Sequence, residues 1–289
     1  MNVVCAKYMG FCPGVKRAWS LVSREAGSGF ARKKNVYLLG ELIHNKQAIE
    51  KLGEWGIKTI NSLDEVGDKG IVMIRAHGEP PQTFQKLKKL SKLVFRKFKI
   101  KLKVVDTTCP SVARVQKLAN QLEKEGYQVV LCGEKDHPEA IATIGYTKKG
   151  LIVDSVDEAR KIPSDKRIGI VSQSTFSPVI FQKICRLLRK KAVDFKSLGT
   201  ICNVTQMAQK EAQKMAKKVD LMIVVGGKHS SNTKRLAEVC RKIVPTHHIE
   251  TAQELKKNWF KEVKKVGLTA GASTPDWIIK EVNQWLELV

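Results

Sequence analysis

Acidic residues, aromatic residues and long apolar runs are all scarce in this 289-residue chain. Asp and Glu number 28 against 52 Lys and Arg, a formal net charge of +24. A surface so short of acid attracts anions: phosphorylated ligands, acidic proteins, nucleic acid or anionic lipid. Charge alone does not choose among them. Aromatics make up only 6%, few for a surface that stacks bases. No apolar run approaches the roughly 20 residues that span a bilayer, and no charged leader followed by an apolar stretch opens the chain. The seven cysteines are odd in number and widely scattered, unlike the dense disulfide framework of a small secreted domain. The expectation is a protein of the reducing cytoplasm, some of whose thiols serve as ligands. A hydrophobic fraction of 43% excludes a disordered chain, and a length prior of roughly 150 residues per domain suggests about two domains or one large one.

What the chain does have is a hidden repeat. Cys12, Cys109 and Cys202 are separated by 97 and 93 residues, and 87 residues follow Cys202. Each cysteine follows an apolar or β-prone run: Val3-Val4, Val104-Val105, and Leu198 to Ile201. Each precedes apolar residues at helical spacing: Val15, Trp19 and Val22; Val112, Val115, Leu118 and Leu122; Val204, Met207, Ala208, Ala212 and Met215. Pro13 and Pro110 suit a first helical turn, and Gly27 and Gly126 suit the ends of the first two helices. Each third carries two further apolar strands, at Val36 and Ile71, Val129 and Ile168, Leu221 and Val266, with polar loops after them. Alternating strands and helices imply βαβ units and parallel sheets, whose ligands collect at the strands' carboxyl ends. The fold expected is therefore three similar α/β domains facing one central site. They would span residues 13–106, 107–199 and 200–289, with residues 1–12 supplying the last with an N-terminal strand.

Chemistry-bearing residues crowd those loops. Three helix-leading cysteines would be activated as thiolates, and burying three such charges together implies a metal. Zinc with a water, or a four-iron cluster with three protein ligands and one open iron, both satisfy that demand. Cys5, Cys132, Cys185 and Cys240 lack this context and read as buried thiols. His44, His77 and His137 close strands, and Ser230, Ser231, Asn232 and Ser273 occupy the remaining edge; together they suit an anion such as a diphosphate. His229, His247 and His248 read as structural. Glu139, next to His137-Pro138, would feel cations that lower its pKa and desolvation that raises it, a balance suited to proton delivery. From Lys86 to Lys103 there are nine Lys or Arg and no acid. Leu87, Leu90, Leu93, Val94 and Phe98 interleave with them at helical spacing. That segment reads first as a solvated helix face and second as a docking face for an acidic partner.

The motifs resemble the LytB/IspH family of 4-hydroxy-3-methylbut-2-enyl diphosphate reductases. They are Gly10-Phe-Cys-Pro-Gly-Val-Lys-Arg-Ala18, Ile43-His-Asn45, Ala76-His-Gly78, Asp106-Thr-Thr-Cys-Pro110, His137-Pro-Glu139, Ser230-Ser-Asn232 and Thr269-Ala-Gly-Ala-Ser273, in the family's order. The resemblance implies a pseudo-threefold trefoil of three α/β domains around one [4Fe–4S] cluster held by Cys12, Cys109 and Cys202, with one iron open. It implies a cytoplasmic oxidoreductase of the non-mevalonate isoprenoid pathway. The reaction would be reductive dehydroxylation of the diphosphate substrate to isopentenyl and dimethylallyl diphosphates plus water. His44, His77, His137, Ser230, Ser231, Asn232 and Ser273 match diphosphate-binding positions, Thr205 a further substrate position, and Glu139 the proton-delivering acid. The loop after Gln173 departs from the pattern: it has Ser174-Thr175 where the family leads one to expect two threonines. Serine keeps the hydroxyl for a proton relay but has a freer rotamer. The electron donor would be an acidic ferredoxin or flavodoxin, with neither nucleic acid nor membrane as partner. Two rivals remain at this level: a three-cysteine cluster hydro-lyase such as quinolinate synthase, which needs no reductant, and a basic nucleic-acid-binding protein with steep salt dependence.

Overall fold

Strands buried on both faces read as unbroken apolar runs, and the centres of three sheets follow that rule in the computed structural model, which describes residues 1–27, 35–67, 70–99 and 102–289. The chain opens with β1 (Asn2–Cys5) and α1 (Pro13–Gly27). Next come β2 (Asn35–Leu39), α2 (Lys46–Glu54), β3 (Ile57–Ile60), β4 (Gly70–Ile74), α3 (Pro81–Phe98) and β5 (Lys103–Asp106). The middle of the chain holds α4 (Pro110–Lys124), β6 (Gln128–Cys132), α5 (Pro138–Ile144), β7 (Leu151–Val153), α6 (Val156–Arg160), β8 (Arg167–Ser172), α7 (Pro178–Lys191) and β9 (Asp194–Ser197). The last part holds α8 (Asn203–Ala216), β10 (Leu221–Val225), α9 (Ser231–Arg241), β11 (Thr246–Ile249), β12 (Lys265–Ala270) and α10 (Asp276–Glu287).

All three sheets are four-stranded and parallel, with orders β3-β2-β4-β5, β7-β6-β8-β9 and β11-β10-β12-β1. The pattern is the same each time: second strand, first, third, fourth. The fourth place in the last sheet is filled by the N-terminal strand, in register from Asn2 opposite Lys265 to Cys5 opposite Leu268. The chain divides into two compact units. One comprises residues 1–16, 43–50 and 202–289; the other comprises residues 17–42 and 51–201. The first contains the sheet centred on β10, and the second contains the other two.

Period-two alternation puts apolar residues on both sides of the central strands. On β10, Leu221, Ile223 and Val225 pack with Ile278, Val282 and Leu286 of α10, while Met222 and Val224 pack with Ala212 of α8 and Leu236 of α9. On β6, Val130 and Cys132 pack with Phe181 and Ile184 of α7, while Val129 and Leu131 pack with Val115 and Leu122 of α4. Buried strands therefore fix the sheets, and their loops are left to carry chemistry.

Two expectations are corrected here. The strand before Cys202 is β9, ending at Ser197, not the stretch from Leu198 to Ile201. Beyond Leu198 the ladder gives way to side-chain bonding, for Thr200 Oγ1 takes the backbone N–H of Ser172 and donates to its carbonyl. On α3, Leu87 and Val94 are buried, but Leu93 is 60% exposed and Phe95 also faces solvent. Its apolar stripe is thus narrower than its spacing suggests. Lys101 lies outside the described residues. Among the described residues, no helix is long and apolar enough to cross a membrane.

Candidate functional site

Equivalent loops in the three sheets carry equivalent chemistry. After the first strands β2, β6 and β10 come His44, His137 and Ser230. After the third strands β4, β8 and β12 come His77, Ser174 and Ser273. After the fourth strands β5, β9 and β1 come Cys109, Cys202 and Cys12, each directly before a helix. Parallel strands deliver all nine to their carboxyl ends.

In the larger unit, His137 is the N-cap of α5, and its Nδ1 accepts the backbone N–H of Glu139 at 3.1 Å. An accepting Nδ1 leaves this ring's Nε2 as the atom that can donate. His77 stands 5.2 Å away, ring edge to ring face. Glu139 is 2% exposed, so it is no solvated first-turn carboxylate. Its Oε1 accepts the Ser174 backbone N–H at 2.6 Å and its Oε2 accepts the Ser174 hydroxyl at 2.8 Å. Burial pushes the carboxyl up to about 7, partly opposed by the two bonds from Ser174. Gln173, which the sequence reading passed over, holds this pair of loops together: its Oε1 accepts the Glu134 N–H and its Nε2 donates to Thr175 Oγ1. No local pattern marks it, because its partner is 39 residues away. Cys109 is fixed beside the His77 loop by its N–H to the Ala76 carbonyl at 2.9 Å. Gly78 completes that loop with φ +74; a Cβ there would sit 2.5 Å from Gln116 Nε2, so only glycine fits.

In the smaller unit, Ser230 caps α9 by accepting the Thr233 N–H. Ser273 Oγ lies 3.5 Å from Ser230 Oγ, and Ser231 and Asn232 are buried in the first turn of α9. The backbone of Gly227 packs against the His44 carbonyl, where a Cβ would collide. That brings His44 to the serine loops. Asn45 caps α2 through the Ala48 N–H. Cys12 is tied beside Ser273 by its N–H to the Ala272 carbonyl at 3.0 Å, and Thr205 is buried in the first turn after Cys202. Histidines 247 and 248 are structural, as expected: one stacks on Trp259 at 3.7 Å and the other bonds the Gly226 carbonyl.

None of the seven cysteines is in a disulfide. Cys109 and Cys202 are N-cap residues whose side chains make no capping bond, and Val15 N–H approaches Cys12 Sγ at 3.4 Å. All three are half-buried. Soft sulfur donors held this way fit an iron–sulfur or zinc centre. The remaining thiols differ more than the sequence suggests. Cys132 and Cys240 are buried, and desolvation raises both, Cys240 to about 11. Cys185 is only half-buried and Cys5 is exposed, since β1 is an edge strand.

Parallel sheets whose carboxyl ends present unbridged helix-leading cysteines, hydroxyl and imidazole donors and buried acids suit a metal-dependent α/β enzyme for anionic substrates. The chain belongs to the LytB family: the profile described as "LytB protein" matches residues 3–287. It is similar to the 4-hydroxy-3-methylbut-2-enyl diphosphate reductase of Clostridioides difficile, 40% identical over 99% of both chains. It is similar also to that of Geobacter metallireducens, 42% identical over 98% of this chain and 95% of that one. A solved structure of (E)-4-hydroxy-3-methyl-but-2-enyl diphosphate reductase, the terminal enzyme of the non-mevalonate pathway, superposes with TM-score 0.73 at 38% identity, covering 100% of this chain and 99% of that one. The Plasmodium falciparum E-1-hydroxy-2-methyl-but-2-enyl-4-diphosphate reductase superposes with TM-score 0.87 at 31% identity, covering 99% and 87%. The chain is thus an iron–sulfur oxidoreductase by family.

Proposed function

We propose that the protein reduces 4-hydroxy-3-methylbut-2-enyl diphosphate to isopentenyl and dimethylallyl diphosphates, using two electrons and two protons and releasing the hydroxyl as water. Family membership supports the reaction, and the observation that carries the chemistry is the buried Glu139 held twice by Ser174. In this reading the residues 13–106, 107–199, and 200–289 with 1–12 are three repeats of one α/β design. Cys12, Cys109 and Cys202 hold one [4Fe–4S] cluster with one iron free of protein ligands. Such a cluster, when bound, supplies the electrons and a Lewis-acidic iron.

The chain's own groups do the rest. His44, His77, His137, Ser230, Ser231, Asn232 and Ser273 hold the diphosphate; their N–H and O–H groups suit phosphate oxygens. Thr205, buried in the first turn of α8, is assigned a further substrate contact. Glu139, with a pKa at about 7, is part protonated near neutrality and delivers protons efficiently. When it is protonated, its O–H donates to Ser174 Oγ, so the serine is the next station of a proton path. Burial keeps bulk water from that path. Electrons come from an acidic ferredoxin or flavodoxin, which a +24 protein attracts quickly and in a salt-sensitive manner. A reducing cytoplasm keeps the seven thiols unbridged, and the enzyme is assigned there.

Anaerobic assay with dithionite-reduced methyl viologen tests the reading. Both five-carbon diphosphates should form, and only with the reductant present. Consumption of substrate without any electron source would establish the hydro-lyase instead.

A further inference from the structure

His77 is the middle residue of Arg75-Ala-His-Gly-Glu79, in the loop between β4 and α3 of the larger unit. Backbone bonds shape the incoming half of that loop. The Ala76 N–H donates to the Leu42 carbonyl at 3.2 Å, and the Ala76 carbonyl accepts the Cys109 N–H at 2.9 Å. The Gly78 N–H closes a turn on the Arg75 carbonyl at 3.0 Å.

Side chains tie the outgoing half. Arg75 Nε lies 2.7 Å from Glu79 Oε1, so an ion pair joins the two residues that flank the turn. Glu79 Oε2 accepts the Thr83 hydroxyl at 3.3 Å, which links the loop to the first turn of α3. Glu79 is 7% exposed. The Arg75 side chain lies against Gly40, directly after β2 at φ +70, where a Cβ would stand 2.6 Å from Nη1 and 3.1 Å from Cδ. Pro80 is held in turn by Gly145 at the end of α5, where a Cβ would stand 2.6 Å from its own.

A buried ion pair adds little net stability, because desolvation offsets most of the attraction. What it supplies here is geometry. It fixes the exit of the loop against its entry, with His77 between them, and a donor misplaced by about 1 Å loses much of its effect. The geometry points to Arg75 and Glu79 as positioning residues that aim His77. The assignment rests on the reading of His77 as a diphosphate donor and adds to it the groups that hold that donor in place.

The test uses anaerobically purified full-length protein. Glu79→Gln, which keeps the shape of the side chain, and Arg75→Met are made alone and each together with His77→Ala. Titration calorimetry follows binding of inorganic pyrophosphate, and turnover with methyl viologen gives kcat and KM. Each single variant should weaken pyrophosphate and raise KM about tenfold, the low end of what losing an outer partner of a ligating group costs. The kcat and the cluster absorbance should stay unchanged, the signature of lost binding rather than lost chemistry. In the His77→Ala background neither substitution should weaken pyrophosphate further, since no imidazole remains to be aimed. Losses that multiply in the double variants, a fall in kcat with KM unchanged, or unaltered pyrophosphate affinity would overturn the assignment. Should Arg75→Met, which strands the Glu79 carboxylate, fail to fold, Glu79→Gln decides alone. Pyrophosphate affinity unmoved by His77→Ala itself would remove the underlying reading of His77, and its positioning residues with it.

Discussion

At the scale of single residues, the proposed role of Glu139 ties proton supply to pH. Its carboxyl is raised by burial to about 7 while Ser174 favours the charged form. Turnover should therefore fall as pH rises through about 7, because the acid is lost. Ser174→Ala removes one of the two bonds that favour the carboxylate, so the falling limb of kcat should move to higher pH. Glu139→Gln should keep its cluster absorbance and lose turnover by roughly 10²–10⁴-fold, the scale of a general acid; loss of the absorbance in that variant would give Glu139 a structural task. The raised pKa also acts on folding. The folded state keeps this proton more tightly than the unfolded one, so the contribution is complete below the ordinary carboxylate range of about 4.5 and is lost as pH rises to about 7. That loss is roughly 3 kcal/mol, and urea unfolding of Glu139→Gln should show a flatter dependence over that window. Glu139 was legible as a candidate from His137-Pro-Glu at a strand end. Its partnership with Ser174, 35 residues away, was not, because pairing across a sheet edge depends on which strands are neighbours. A comparable separation, 39 residues to Glu134, hides Gln173.

At the scale of elements, the repeat was legible because buried parallel strands and helix-leading cysteines leave strong apolar patterns. The position of β9 was not, since Thr200 replaces ladder bonds with side-chain bonds and gives an apolar stretch to a turn. The reach of the α3 stripe was overestimated for a related reason: periodicity counts Leu93 as facing inward, but packing buries only Leu87 and Val94. Loops depend on single backbone positions. Gly78→Ala would put a methyl group against Gln116 at a left-handed φ. It should destabilise the protein by about 1–3 kcal/mol, read as a lower midpoint in urea, and raise KM by displacing His77. Unchanged stability and KM would show that the turn yields easily.

At the scale of the whole molecule, the proposed function gives the +24 charge and the three-sheet pattern a common use. The fold sends cysteines from distant thirds of the chain to equivalent strand ends, and the positive surface suits a diphosphate and an acidic carrier. The central claim is that Cys12, Cys109 and Cys202 jointly hold one iron–sulfur cluster. Iron and acid-labile sulfide, counted per chain after anaerobic purification of the wild type, Cys109→Ser and Cys240→Ser, test it most directly. The account predicts about four of each in the wild type and in Cys240→Ser, and a loss of iron in Cys109→Ser. Equal iron in the two variants, or zinc without sulfide in the wild type, would contradict it.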